Sequence, residues 1–152
     1  MTVGYFDSSA LMKLLIEEDG RQVSLAVWKA VDTPATSRVA YPEVRAALAA
    51  ARRGRRLTAR QYTAARADWE RRWSQLRVVE AEPRVASRAG ELAEACALRG
   101  FDAVHLASAL LLGRADDPDV PVMVAWDARL REAAADLGLR TAPANAVAGG
   151  GA

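Results

Sequence analysis

Four carboxylates stand where short apolar runs give way to helical ones: Asp7 after Val3-Gly4-Tyr5-Phe6, Glu43 in Tyr41-Pro42-Glu43, Asp102 in Gly100-Phe101-Asp102, and Asp127 after Val122-Met123-Val124-Ala125-Trp126. If the short runs are parallel strands of one sheet, their carboxyl ends share an edge, and side chains distant in sequence converge there. Like charges brought together call for a cation. Oxygen-only donors suit Mg²⁺, with Mn²⁺ as a substitute, whereas structural zinc prefers thiolate and imidazole. With one Cys and one His in the chain, zinc is a poor fit. Each acid also has a plainer explanation, because a carboxylate at a helix start caps free N–H groups and meets the positive end of the helix dipole. Taken singly, capping is the stronger account; only their recurrence at one edge raises the metal reading.

The elements that must position these acids alternate between short strand-like and longer helical patterns, which predicts an α/β sheet built from crossover units. Residues 3–6 read as the first strand. Ser8 and Ser9 offer N-cap oxygens for a helix carrying Ala10, Leu11, Leu14 and Leu15 at helical spacing, which ends at Glu17-Glu18-Asp19-Gly20. A second helix is predicted over 22–31 and a strand over 33–37. Pro42 fits a first helical turn, and the alanine-rich run after Glu43 carries that helix to Arg53, before Gly54. A helix over 57–76 places Tyr62, Ala65, Trp69, Trp73 and Leu76 on one stripe. Val78-Val79 is a short strand, and Pro83 opens a helix closed by Gly100 as its left-handed cap. Asp116-Asp117-Pro118-Asp119 reads as a solvated turn. Residues 120–126 form the clearest strand, 128–137 a helix, and 138–142 an edge strand.

At 152 residues the chain has the size of one domain, here placed at 1–145, with the Gly-rich residues 146–152 as a disordered tail. An apolar content of 51% against 26% charged residues excludes a wholly disordered chain. No apolar run reaches the roughly 20 residues a membrane span needs, and the amino terminus lacks a signal-peptide pattern. The expectation is a cytoplasmic protein with no membrane contact. Cys96, at helical spacing from Leu92, reads as a core residue and not as a reactive thiol. The net charge of +2 diagnoses no partner, but six arginines between Arg45 and Arg60 with no intervening acid form either a solvated helix end or a surface for phosphate or a protein partner.

Beside the acids, Ser9 is read first as an N-cap or first-turn hydroxyl and second as a group reaching the metal or its water. His105, one turn after Asp102, is read first as a packed, hydrogen-bonded core histidine and second as a neighbour of the site. Arg38 and Lys13 are possible phosphate contacts with surface exposure as the default. The tryptophan stripe belongs to a core or partner-helix face in preference to base stacking, which requires exposed rings.

Phe6-Asp7-Ser8-Ser9-Ala10-Leu11, Ser37-Arg38-Val39-Ala40-Tyr41-Pro42-Glu43-Val44, Phe101-Asp102-Ala103-Val104-His105-Leu106-Ala107-Ser108-Ala109 and Trp126-Asp127-Ala128-Arg129-Leu130 resemble, in order and spacing, the four acidic motifs of PIN-domain ribonucleases. The nearest likeness is to the VapC-type toxins of bacterial toxin–antitoxin pairs. The resemblance spans residues 3–142, and it implies a three-layer sandwich with a central, mostly parallel sheet of about five strands and helices on both faces. It places the family's metal-binding acids on Asp7, Glu43, Asp102 and Asp127. One position departs: the family often has Ser or Thr directly before the fourth acid, where this chain has Trp126.

What the resemblance implies is Mg²⁺-dependent hydrolysis of RNA by water activated at a metal, leaving a 5′-phosphate and a 3′-hydroxyl. Asp7 and Asp102 would be the principal ligands, Glu43 would complete the shell or orient the water, and Asp127 would help to hold a metal. It also implies a small VapB-like antitoxin laid across the acids, with the Trp69 and Trp73 helix and the arginine run as further docking surface, and a homodimer. Three rivals stand beside this reading. A phosphoacceptor receiver domain needs an acidic pair after the first strand and a late lysine, yet Asp7 is followed by Ser8-Ser9 and no lysine follows Lys29. A haloacid-dehalogenase-like phosphatase needs an aspartate where Ser9 stands. A degenerate PIN domain acting as a non-catalytic binding module would not need all four acids.

Overall fold

A computed structural model describes residues 1–113 and 120–144. Strand β1 (Val3–Phe6) leads through α1 (Ser8–Leu15) and α2 (Arg21–Ala30) to β2 (Thr33–Ser37), and α3 (Ala40–Arg53) and α4 (Ala59–Trp73) lead on to β3 (Arg77–Val79). Then come α5 (Pro83–Cys96), α6 (Gly100–Leu112), β4 (Val122–Val124), α7 (Ala128–Asp136) and β5 (Arg140–Ala142). The five strands form one sheet in the order β3-β2-β1-β4-β5, and all four pairings are parallel. After β1 the chain builds outward through β2 and β3, then returns to β1's other side with β4. The strand order therefore reverses between β1 and β4, the crevice where parallel α/β sheets bind ligands.

Because side chains alternate across a strand, Tyr5 packs on one face and Phe6 on the other. Tyr5, Ala35, Val79 and Met123 join Val85, Leu92, Leu106 and Leu130 of α5, α6 and α7. Phe6 and Val124 join Leu11, Leu14, Val44, Leu48 and Trp69 of α1, α3 and α4. Helices thus cover both faces, giving the three-layer sandwich. Trp69 is fully buried, whereas Tyr62 and Trp73 flank its cluster half-buried, so the stripe is a core face as expected. Cys96 is half-buried at the rim of the other cluster. Among the described residues no single helix is long and apolar enough to cross a membrane.

Several local expectations are corrected. Asp7, not Ser8 or Ser9, is the N-cap of α1; its side chain accepts from the Ala10 N–H, and the serines are the helix's first two residues. Gly100 does not close α5. That helix ends at Cys96 with Ala97 in the left-handed region (φ 52°), which lets Leu98 turn into the core, and Gly100 opens α6 instead. The start of α4 is set by a capping box in which Thr58 and Gln61 satisfy each other's backbone N–H groups. Strand β4 is shorter than predicted, 122–124 against 120–126; Pro121, with no N–H, stands before it. Strand β5 starts at Arg140 because Gly138 (φ 91°) turns the chain first. The expected turn at 116–119 and the tail at 146–152 lie outside the described residues.

Candidate active site

Asp7 follows directly on β1, and its own N–H donates to the Val124 carbonyl at 3.1 Å, which ties the crevice residue to both strands. Its Oδ1 accepts from Ser9 Oγ at 2.7 Å and from the Ala10 N–H at 2.9 Å. Burial pushes the Asp7 carboxyl above the usual carboxylate range, and the neighbouring Asp102 charge adds to the rise, while His105, the Ala10 N–H and Ser9 oppose it. Asp102 lies in the first turn of α6 without capping it. Its Oδ2 meets Arg99 Nε at 3.0 Å, and the Arg99 side chain is 82% exposed. Asp127 caps α7 through the Leu130 N–H at 2.9 Å and is exposed.

Glu43 stands in the first turn of α3. Its Oε1 accepts from Ser8 Oγ at 2.6 Å and meets His105 Nε2 at 2.8 Å. Partial burial pushes its carboxyl up, but the hydrogen bonds from His105 and Ser8, with the His105 charge added, hold it below its usual range. His105 is 2% exposed and, as expected, hydrogen-bonded; its Nδ1 lies 2.7 Å from Tyr5 Oη.

Capping therefore accounts for Asp7 and Asp127 but not for Glu43 or Asp102. All four acids share one property: each engages one carboxylate oxygen, and among the described residues no hydrogen bond reaches Asp7 Oδ2, Glu43 Oε2, Asp102 Oδ1 or Asp127 Oδ2. A cleft of about 710 Å³ is lined by Glu43, Arg99 and Asp102, with Ala86, Ala89, Gly90 and Ala93 of α5 as its opposite wall. A smaller one of about 280 Å³ joins Asp102 to Asp127, Arg99 and Arg129. Asp102 is the acid common to both.

Among the described residues no three His, Cys, Asp or Glu side chains form a ready-made metal cage. Such a cage is what Ca²⁺ or structural Zn²⁺ requires; Mg²⁺ keeps several waters and takes one or two carboxylates. The donor chemistry here, hard oxygens with a buried Asp7 that feels the Asp102 charge, fits a hydrated divalent cation of that kind.

A family model described as PIN domain matches residues 4–136. The chain belongs to the PIN-domain family. This PIN domain is 51% identical over 144 residues to Ribonuclease VapC45 of Mycobacterium tuberculosis (strain CDC 1551 / Oshkosh), covering 95% of this chain and 97% of that one. The same identity and coverage hold for Ribonuclease VapC49 of M. tuberculosis (strain ATCC 25618 / H37Rv), so the likeness is to VapC-type members. Its fold is shared with a crystal structure of PAE2754 from Pyrobaculum aerophilum (TM-score 0.64, 23% identity, 88% of this chain and 87% of that). It is shared too with a toxin–antitoxin complex from Klebsiella pneumoniae (TM-score 0.56, 20% identity, 80% and 84%).

Other side chains of this PIN domain settle individually. Ser9 donates to Asp7 and accepts from the Trp126 N–H at 3.3 Å, linking the first acid to the residue before the fourth. Lys13 meets Glu18 at 3.3 Å and the Asp19 carbonyl at 2.6 Å, and lies 4.8 Å from the Trp126 ring centroid. Arg38 pairs with Glu80. From the arginine run, Arg45 reaches Tyr41 Oη and Glu70, and Arg56 reaches Glu18. Sequence reasoning missed Arg99, which the i,i+3 spacing to Asp102 would have exposed, and Ser8 and Tyr5, which carry no local signal.

Proposed function

We propose that this PIN domain is a Mg²⁺-dependent endoribonuclease, with Mn²⁺ as substitute, acting in the cytoplasm as the toxin of a toxin–antitoxin pair. The observation that carries the reading is a buried Asp7 beside Asp102 at the β1/β4 crevice, each with an uncommitted oxygen, in a chain similar over nearly its whole length to curated ribonucleases. Asp7 and Asp102 would hold the cation, with Asp127 and Glu43 completing the set. When bound, the cation supplies Lewis-acid charge that eases deprotonation of water and stabilises negative charge developing on phosphorus.

The chain's own groups do the rest. Glu43, held ionised by His105 and Ser8, presents Oε2 to orient water. Exposed Arg99, next to Asp102, provides a fork for the RNA phosphate. The products would be a 5′-phosphate and a 3′-hydroxyl. A small VapB-like antitoxin would cover the acids and set an arginine among them, and the toxin would act as a homodimer. Of the two helix-α4 tryptophans, only Trp73 reaches the surface to take part in such docking, since Trp69 is enclosed.

The test is cleavage of single-stranded RNA by the purified chain with Mg²⁺, with chelator, and with Asp7→Asn or Asp102→Asn, circular dichroism reporting the fold. Cleavage that survives chelator and both substitutions would refute the mechanism.

A further inference from the structure

A glutamate side chain has three rotatable bonds, so its place on α3 does not by itself aim the Glu43 carboxylate. Three residues from three other elements, β1, α1 and α6, do. Ser8 Oγ has one proton, and an ionised carboxylate only accepts, so Ser8 donates to Oε1 at 2.6 Å. His105 Nε2, 2.8 Å from the same oxygen, must then carry a proton to bond it. With the ring taken as neutral, Nδ1 keeps a lone pair and Tyr5 Oη, 2.7 Å away, donates into it; with the ring charged, Nδ1 would instead donate to Tyr5. With the neutral ring the chain runs one way, from the Tyr5 hydroxyl through the imidazole to Glu43, and every group in it is satisfied.

The position of this chain sets it apart from routine core packing. Tyr5 is 0% and His105 2% exposed; Tyr5 sits in the cluster beneath α5, α6 and α7, with the buried hydroxyls of Thr36 and Ser108 beside its phenol. Apolar residues of similar volume would fill that space without desolvating a phenol, an imidazole and a carboxylate, and such replacements are often neutral or stabilising. Only one end of the chain reaches the cleft, and that end is Glu43.

We propose that Tyr5, His105 and Ser8 are positioning residues that clamp Oε1 of Glu43, leaving Oε2 as the oxygen that works in the cleft. The catalytic half of the proposal rests on the ribonuclease reading above; the hydrogen-bond half does not.

His105 is the only histidine in the chain, so a multiple-bond ¹H–¹⁵N spectrum gives a single imidazole pattern. It is expected to show the proton on Nε2, with the pattern disturbed by Tyr5→Phe. A proton on Nδ1 reverses the chain and overturns the proposal, whether or not RNA is cleaved. In kinetics, His105→Leu is expected to lower kcat about a hundredfold while KM stays within about threefold. His105→Gln, which keeps an N–H toward Glu43, recovers most of that loss. Adding Glu43→Gln to His105→Leu removes little more, because the two act as a unit. Wild-type kcat in His105→Leu overturns the proposal. A loss that His105→Gln fails to recover, accompanied by an equal drop in melting temperature in both variants, overturns it in favour of packing. If the wild-type chain cleaves no RNA, the ribonuclease reading falls and the nitrogen spectrum alone decides the clamp.

Discussion

The ring of Trp126 occupies the space in front of Gly20: a Cβ at Gly20 would stand 2.6 Å from the indole Cζ2. Gly20 also has φ 91°, which side-chain-bearing residues avoid. The bulky residue before Asp127 is therefore seated against a glycine and beside Lys13, and the departure from the usual Ser or Thr has its own local accommodation. Gly20→Ala is expected to destabilise the fold by about 2 kcal/mol through strain and displacement of the ring. In thermal denaturation that is a drop of roughly 5 °C. An unchanged melting temperature would show that the indole has room elsewhere.

Asp7→Asn keeps an N-cap oxygen for the Ala10 N–H, so the helix start survives, while the carboxylate is lost. Cleavage should fall by about two orders of magnitude or more with the circular dichroism spectrum intact. Without divalent cation the substitution should also stabilise the protein at neutral pH. Burial raises the folded carboxyl above its unfolded value, so stability is fully present below the unfolded pKa and declines as pH rises through the folded one. The Asn side chain does not ionise, and the advantage of the variant should vanish in acid. Denaturant melts at acid and neutral pH without divalent cation measure this, and an advantage that grew as pH fell would contradict the burial argument.

Asp102 lines both clefts and is the charge that adds to the rise of Asp7. Calorimetric titration with Mn²⁺ should show binding to the wild type that weakens at least about tenfold in Asp102→Asn, if carboxylate donors carry the affinity. Equal binding by both proteins would remove Asp102 from the proposed metal site.

Arg99→Ala breaks an ion pair whose cationic member is 82% exposed, and the melting temperature should stay at its wild-type value. Its expected effect lies on substrate: KM for RNA rises several-fold, and the salt dependence of binding becomes shallower by about one unit of slope. A salt slope identical to wild type would mean that the guanidinium meets no phosphate.

Trp69 is the largest fully enclosed side chain, and among the described residues its Nε1 is the one buried side-chain polar atom without a partner. Trp69→Ala should therefore cost about 3–5 kcal/mol through the cavity it leaves. Trp69→Phe should cost distinctly less, because it also removes an unsatisfied N–H. If equilibrium unfolding ranks the two variants equally, the buried N–H has a partner in solution.

Much of this architecture was legible because it is written in local periodicity. The apolar spacing of Ala10, Leu11, Leu14 and Leu15 and the strand pattern of Val3–Phe6 do not depend on what lies elsewhere in the chain. Errors arose where tertiary burial overrode the local signal: Leu98 turns inward and forces the left-handed cap onto Ala97, although Gly100 is the residue better suited to it. The acids were found because their types and spacing are distinctive. Their partners were not, since Tyr5 lies 100 residues from His105, and Ser8 lies 35 from Glu43. Only the sheet order brings such pairs together.

That order also governs when the molecule acquires its site. Central strand β1 comes before β2 and β3 in chain order, whereas the neighbour that receives the Asp7 N–H, at Val124 of β4, comes after both. A nascent chain surrounded by ribosomal and messenger RNA therefore carries Asp7, Glu43 and Asp102 without the strand that closes the crevice and without Asp127. On the proposed ribonuclease activity, ribosome-bound chains stalled before Val122 are expected to leave RNA intact, so translation itself would guard against premature cleavage.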